Sequence, residues 1–382
     1  MRNRIFKYLE KTKYGYLAIK TPCGNEIDIG DKDSSLKADM KILDWKVIDL
    51  CIAKGDIGLG QSYIENLFTT SDIENLLLFF CKNQKELEDI FHSNPLFSLF
   101  FNIKNFFNKN TLKGSKKNIE YHYDLGNDFY KLWLDNSMSY SSGIFTNNET
   151  LSQCQQNKYQ RIINHLNKNS DKILEIGCGW GGFIDQAEKN DFQVKGLTLS
   201  HTQKKYSEDL IHKNNYKSKI HLQDYRHERG KYDNIVSIEM FEAVGQKYWS
   251  NYFETIKKSL NKQGKAIIQT ITIGDDFFKK YSKTSDFIRE YIFPGGMLPT
   301  PNIFRKLAED NNLQIIDEFT FGDSYSKTLS KWLSNFNNRK MEVLSLGYDD
   351  QFIRKWQFYL AYCAAGFSAN RTDVVQYVMT HD

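Results

Sequence analysis

The stretch ILEIGCGWGGF, Ile173 to Phe183, decides the fold. Four glycines (Gly177, Gly179, Gly181 and Gly182) follow a short apolar run that holds one acid, Glu175. A glycine-rich turn after a strand lets a ligand approach the backbone and sit near the N-terminus of the next helix. The glycines alone also fit a dinucleotide site, because a G-x-G-x-x-G pattern would end on Gly182. Glu175 discriminates: a pyrophosphate would be repelled by a carboxylate at that point, whereas a cationic ligand would be favoured.

The pattern extends outward from this turn. From Lys172 to Ile273 apolar strand-like runs alternate with helical ones: KILEIG and GWGGFIDQAEKN, FQVKGLTLS and HTQKKYSEDLIHKN, SKIHLQDYR, YDNIVSIEMFEAVG, a helix, then GKAIIQTITI. Buried parallel strands between helices predict an α/β fold, a doubly wound Rossmann-like sheet. Strand-like runs at 313–321 and 356–379 are expected to close it. The segment between Ile273 and the first of these follows a strand's C-terminal end, where ligands bind in such sheets. Upstream, YLAIKTPCGNEIDIG reads as a hairpin around PCGN, and Thr70-Ser71-Asp72 reads as a helix cap. A smaller α+β domain is therefore expected over 1–118, and the doubly wound domain over 119–382.

Composition narrows the function. The chain has 382 residues and a net charge of +4, which does not describe a dedicated nucleic-acid binder. Its six cysteines form no C-x-x-C pair and its histidines do not cluster, so neither a metal site nor a disulfide framework is indicated. The N-terminus lacks the apolar core of a signal peptide, and no apolar run is long enough to span a bilayer. Between Leu96 and Ile119 stand five lysines and no acid, with Phe97, Phe100, Phe101, Phe106 and Phe107 in the first half. That mixture suits a helix at an anionic lipid surface; the plainer reading is a core-facing helix and a solvated linker.

The segments YHYDLGNDFYKLWLDNSMSYSSGIF, ILEIGCGWGGF, GLTLSHTQ, QDYR, SIEMFEAVG, YIFPGGMLP and YLAYCAAGFSANRTDVVQYVM run in order from about residue 120 to the C-terminus. Together they resemble the cyclopropane-fatty-acyl-phospholipid synthase and mycolic acid cyclopropane synthase family of S-adenosylmethionine-dependent lipid methyltransferases. The resemblance implies a class I methyltransferase sheet with an acyl-chain channel formed by the insertion. It also implies methyl transfer to a cis double bond of a phospholipid acyl chain, a carbocation, proton loss to a bound bicarbonate, and ring closure. Carried over by motif, Tyr140, Ser141, Glu175, Gly177, Gly179, Gly181, Thr198, Ser200, Gln203, Asp224, Tyr225 and Arg226 would bind the cofactor. Glu175 matches the acid that faces the cofactor's cationic methionine end. Thr198, Ser200 and Gln203 stand where an acid usually meets the ribose.

Glu242 in MFEAVG matches the family's bicarbonate-holding acid, Tyr325 its tyrosine, and Cys363 a cysteine treated as a candidate nucleophile. The reaction needs no covalent intermediate, so Cys363 also reads as a small buried hydrophobe. Two departures stand out: Ser142 replaces the cysteine of Tyr-Ser-Cys-Gly, and Gln269 replaces the histidine of the His-Thr-Ile element. Both can still hydrogen-bond an anion. The QTITI and EAVG forms resemble a branch of the family whose products are methylene- or methyl-branched. The implied setting is cytoplasmic and peripheral, at the inner face of a membrane whose unsaturated phospholipids are the substrate; a homodimer is compatible with it. Rival readings are a methyltransferase acting on a soluble acceptor and a lipid-binding protein without chemistry.

Overall fold

The computed structural model describes residues 6–7, 9–87, 125–168, 170 and 172–381. The aromatic and basic segment and His122 lie outside them. The described residues form two compact units. One takes those up to 87 with Lys280–Ile292 and Leu329–Arg371; the other takes those from 125 to Lys279 with Phe293–Thr328 and the C-terminal residues from Thr372. The division is thus discontinuous, unlike the contiguous split expected at residue 118, because part of the insertion and a long C-terminal helix join the first unit.

The first unit holds a four-stranded sheet of β1 (Tyr16–Lys20), β2 (Glu26–Gly30), β3 (Lys37–Ile42) and β4 (Phe68–Thr69), in the order β2-β1-β3-β4. β1 and β2 form an antiparallel hairpin, with Gly24 at φ +84° in its turn. Asp72 caps the helix Ile73–Lys82 by accepting from the Asn75 amide at 3.0 Å. Against this unit's helices packs Asp350–Ser368, most of whose residues are buried. The sequence WQFYLAYCAAGFS reads as strand because it is apolar on every face; burial all round removes the helical period that would betray it. Phe287, from the insertion, fills the same core, with its ring 4.5 Å from that of Phe358.

The second unit is a seven-stranded sheet. Its strands are β5 (Lys172–Ile176), β6 (Gln193–Thr198), β7 (Lys219–Leu222), β8 (Tyr232–Ile238), β9 (Leu260–Ile273), β10 (Leu313–Thr320) and β11 (Thr372–His381). They lie in the order β10-β11-β9-β8-β5-β6-β7, parallel from β7 to β9, with β11 antiparallel to β9 and β10 to β11. One buried cluster (Leu174, Phe241, Tyr252, Phe304, Tyr377) covers one face, and another (Ile162, Ile173, Phe183, Val236, Val378) covers the other. Strand order reverses at β5, between β6 and β8, so the crevice outside the C-terminal ends of these strands is the expected ligand site. Among the described residues no helix is long and apolar enough to cross a membrane.

Candidate active site

The turn after β5 is built for close approach. Gly177, Gly179 and Gly181 take φ of +85°, +52° and +84°, the left-handed region that side chains disfavour. A Cβ at Gly177 would stand 2.8 Å from Met240 Cγ, whereas one at Gly179 would meet nothing within 4 Å. The backbone at Gly179 therefore faces open space.

Glu175, one residue before the end of β5, is 2% exposed, and its Oε2 has no hydrogen-bond partner. Burial pushes its carboxyl up to about 8, against the opposing pull of Lys158. A buried acceptor left without a donor beside an open glycine cradle fits a ligand with cationic and N–H groups.

The other cofactor candidates surround the ends of β5 to β7. Tyr140 packs with its ring 5.4 Å from Trp133 and 5.6 Å from Tyr130. Ser141 Oγ accepts from Lys158 Nζ at 2.6 Å. Thr198, Ser200 and Gln203 hold one another: Thr198 Oγ1 donates to Gln203 Oε1 at 2.9 Å, and Ser200 Oγ accepts from the Gln203 amide at 3.2 Å. Asp224 is gripped in fork fashion by Arg226, with Nε at 2.9 Å from Oδ1 and Nη2 at 2.6 Å from Oδ2. Tyr225 sets its ring edge-on to Tyr252 at 5.5 Å.

The polar candidates meet at the end of β8. Glu242 Oε1 accepts from the Ile271 amide at 2.5 Å and from Thr270 Oγ1 at 3.0 Å; its Oε2 is buried and without a partner. Desolvation, then the nearby Glu239 charge, pushes its carboxyl up to about 8. Ser142, Gln269 and Tyr325 instead converge on Glu239. The Ser142 amide donates to Glu239 Oε1 at 2.8 Å, Gln269 Nε2 donates to the same oxygen at 2.7 Å, and the Tyr325 hydroxyl donates to Oε2 at 2.5 Å. Behind Gln269, Gln376 Nε2 donates to Gln269 Oε1 at 2.9 Å, and Arg161 donates to Gln376 Oε1 at 3.1 Å. Cys363 lies in the first unit, on Asp350–Ser368, where desolvation holds its thiol well above the ordinary range and so protonated.

Two residues of the site escape the sequence reading. Glu239 is one; an acid closing a buried strand was its signal. Lys158 is the other: it is fully buried on the helix Leu151–His165, and desolvation lowers its ammonium to about 8 despite the acids Glu239, Asp135 and Glu175 around it. Its signal was a lysine on the stripe of Cys154 and Ile162, one turn from each.

Residues 110–377 match the family model described as mycolic acid cyclopropane synthetase. The chain belongs to this family. It is an S-adenosylmethionine-dependent methyltransferase, of a family of lipid methyltransferases that includes cyclopropane synthases. It is 31% identical over 354 residues to the cyclopropane-fatty-acyl-phospholipid synthase of Escherichia coli (strain K12), covering 91% of this chain and 89% of that protein. It is 30% identical over 342 residues to the tuberculostearic acid methyltransferase UfaA1 of Mycobacterium tuberculosis, covering 86% and 79%. A solved mycolic acid cyclopropane synthase complexed with SAH and CTAB superposes with a TM-score of 0.65 at 27% identity, over 69% of this chain and 97% of that one. The glycine cradle and the orphaned Glu175 oxygen fit the cofactor of this family.

Proposed function

We propose that the protein transfers the methyl of S-adenosylmethionine to the cis double bond of an unsaturated phospholipid acyl chain and forms a cyclopropane. The observation that carries the reading is a cation-favouring cradle at the end of β5 beside desolvated carboxylates, Glu239 and Glu242, at the end of the adjacent β8. When bound, S-adenosylmethionine supplies an electrophilic methyl on a sulfonium.

The residues divide the work. Glu175 would hold the cationic methionine end, and the backbone at Gly177, Gly179 and Gly181 would admit it closely. Thr198, Ser200, Gln203 and Asp224 would offer hydrogen bonds to the nucleoside, with Tyr225 beside the base, Arg226 fixing Asp224, and Tyr140 and Ser141 closing the site. An alkene is a weak nucleophile, and the cation it becomes is quenched by water, so the acyl chain must sit in a dry site. The polar group of Glu242, Tyr325, Gln269 and Ser142 would hold the group that receives the released proton. Lysines and phenylalanines at 96–117 would bring the protein to an anionic bilayer.

A second reading, a methylene- or methyl-branched product, is favoured by Gln269 and by the likeness to a tuberculostearic acid methyltransferase. Both products descend from one cation, and the position of the base selects between them. The test is incubation with S-adenosylmethionine and vesicles of monounsaturated phospholipid, with the acyl chains read by mass spectrometry and proton NMR. A gain of one CH2 with upfield ring protons establishes the cyclopropane; new vinylidene protons establish the branched route. No gain while the cofactor still binds sinks the lipid reading and turns attention to soluble acceptors.

A further inference from the structure

We infer that Glu239 is the proton acceptor of the reaction: a carboxylate belonging to the chain itself occupies the position that a separate bound anion would otherwise fill. The inference rests on the methyl-transfer reading above and goes beyond it by naming the base.

Three observations converge. First, the donors that could hold an anion at the end of β8 are already engaged by Glu239: the Ser142 amide at 2.8 Å, Gln269 Nε2 at 2.7 Å and the Tyr325 hydroxyl at 2.5 Å. A carboxylate has about four lone-pair directions, so one remains without a donor among the described residues.

Second, Glu239 stands at φ +50°, the left-handed region where glycine is the favoured residue. Backbone strain of this kind persists where the surroundings over-determine it, and it concentrates at functional sites. Glycine would be easier for the fold here, yet a glutamate is held.

Third, Glu242 lies close enough to raise the proton affinity of its own carboxyl through the charge of Glu239. A free anion entering here would face the Glu239 carboxylate and find the Ser142, Gln269 and Tyr325 donors taken. The glutamine at position 269 follows from the same arrangement. Its amide donates to Glu239 and accepts from Gln376, which fixes its orientation without adding a competing base.

The step balances. The alkene π pair forms the new C–C bond as the methyl–sulfur bond breaks, and that pair stays on sulfur. The adjacent cation makes a neighbouring C–H acidic enough for even a hydrogen-bonded carboxylate to take the proton. That proton goes to a Glu239 oxygen, and the C–H pair closes the ring; where a 1,2-hydride shift first moves the cation to the carbon that bears the new methyl, the same pair forms the double bond of a methylene group. Glu239 then returns its proton to solvent.

The test uses the full chain and its Glu239→Gly and Glu239→Gln variants in carbonate-free buffer. Glycine suits the backbone at this position, so the first variant is expected to fold. Binding of 13C-bicarbonate, followed by its carbon resonance, needs no lipid turnover: the wild type is expected to bind none and Glu239→Gly to gain a site. In the vesicle assay, Glu239→Gln is expected to lose turnover by about a hundredfold or more while its affinity for S-adenosylhomocysteine holds within about threefold. Bicarbonate or formate should partly restore Glu239→Gly and leave the wild type unchanged. Wild-type turnover that depends on bicarbonate, or a Glu239→Gln variant of wild-type activity, would overturn the assignment. A wild type that leaves phospholipid unmodified yet shows the same bicarbonate contrast would sink the lipid reading and support the chain's own carboxylate as the resident anion.

Discussion

Cofactor binding should release a proton from Glu175, and the structure sets the size of the effect. In the free protein this carboxyl is 2% exposed, has an unpartnered Oε2 and is pushed up to about 8. At pH 7 about nine in ten molecules then carry the proton. A cationic ligand favours the ionised form, so binding at pH 7 should expel up to about 0.9 proton from this group. The same linkage should make binding about tenfold weaker at pH 7 than on the plateau above pH 9, because ionising a group one unit below its pKa costs about 1.4 kcal/mol.

The assay is calorimetric titration of S-adenosylmethionine in buffers of different ionisation enthalpy, with wild type and Glu175→Gln in parallel. The ligand's own amine titrates in both proteins and cancels in the difference. Glu175→Gln should bind more weakly and release fewer protons by that same fraction. Equal proton release from the two proteins would refute the assignment of Glu175 as the charge partner.

Other expectations follow from the same buried charges and close contacts. Lys158→Met removes the cation that opposes the rise at Glu175, so the proton-release profile should move to higher pH in the same titration. Glu175 and Glu242 are both raised to about 8, so the folded state holds more protons than the unfolded chain from the ordinary carboxylate range up to that value. Their contribution to stability is full below the unfolded pKa and is lost as pH rises; the urea midpoint of the cofactor-free protein should therefore fall between pH 5 and about 8, and flatten in the Glu175→Gln, Glu242→Gln double variant. Gly182→Ala would place a Cβ 2.7 Å from the Tyr159 hydroxyl, 2.9 Å from Ser139 Oγ and 3.0 Å from the Ser137 carbonyl, and should destabilise by about 1–3 kcal/mol in denaturant titration.

Local signals made the sheet and the cofactor turn legible. The alternation of apolar runs and helical stretches is written within each segment, and the glycines at 177, 179 and 181 mark a backbone that only they adopt freely. Where local pattern and burial diverge, the reading fails. The helix Asp350–Ser368 hides its period because nearly every face is covered, and the first unit is assembled from three distant parts of the chain.

The group around Glu239 shows the same limit more sharply. Ser142, Gln269 and Tyr325 each read as able to bind an anion, and in the structure each donates to the Glu239 carboxyl. Glu239 lies 97, 30 and 86 residues away from them in sequence, and the donors come from a loop, a strand and a helix. No spacing along the chain encodes that meeting. What the sequence does carry is an acid at position 239, where the turn asks for glycine. The residue that looks wrong for its backbone is the one on which the three donors converge.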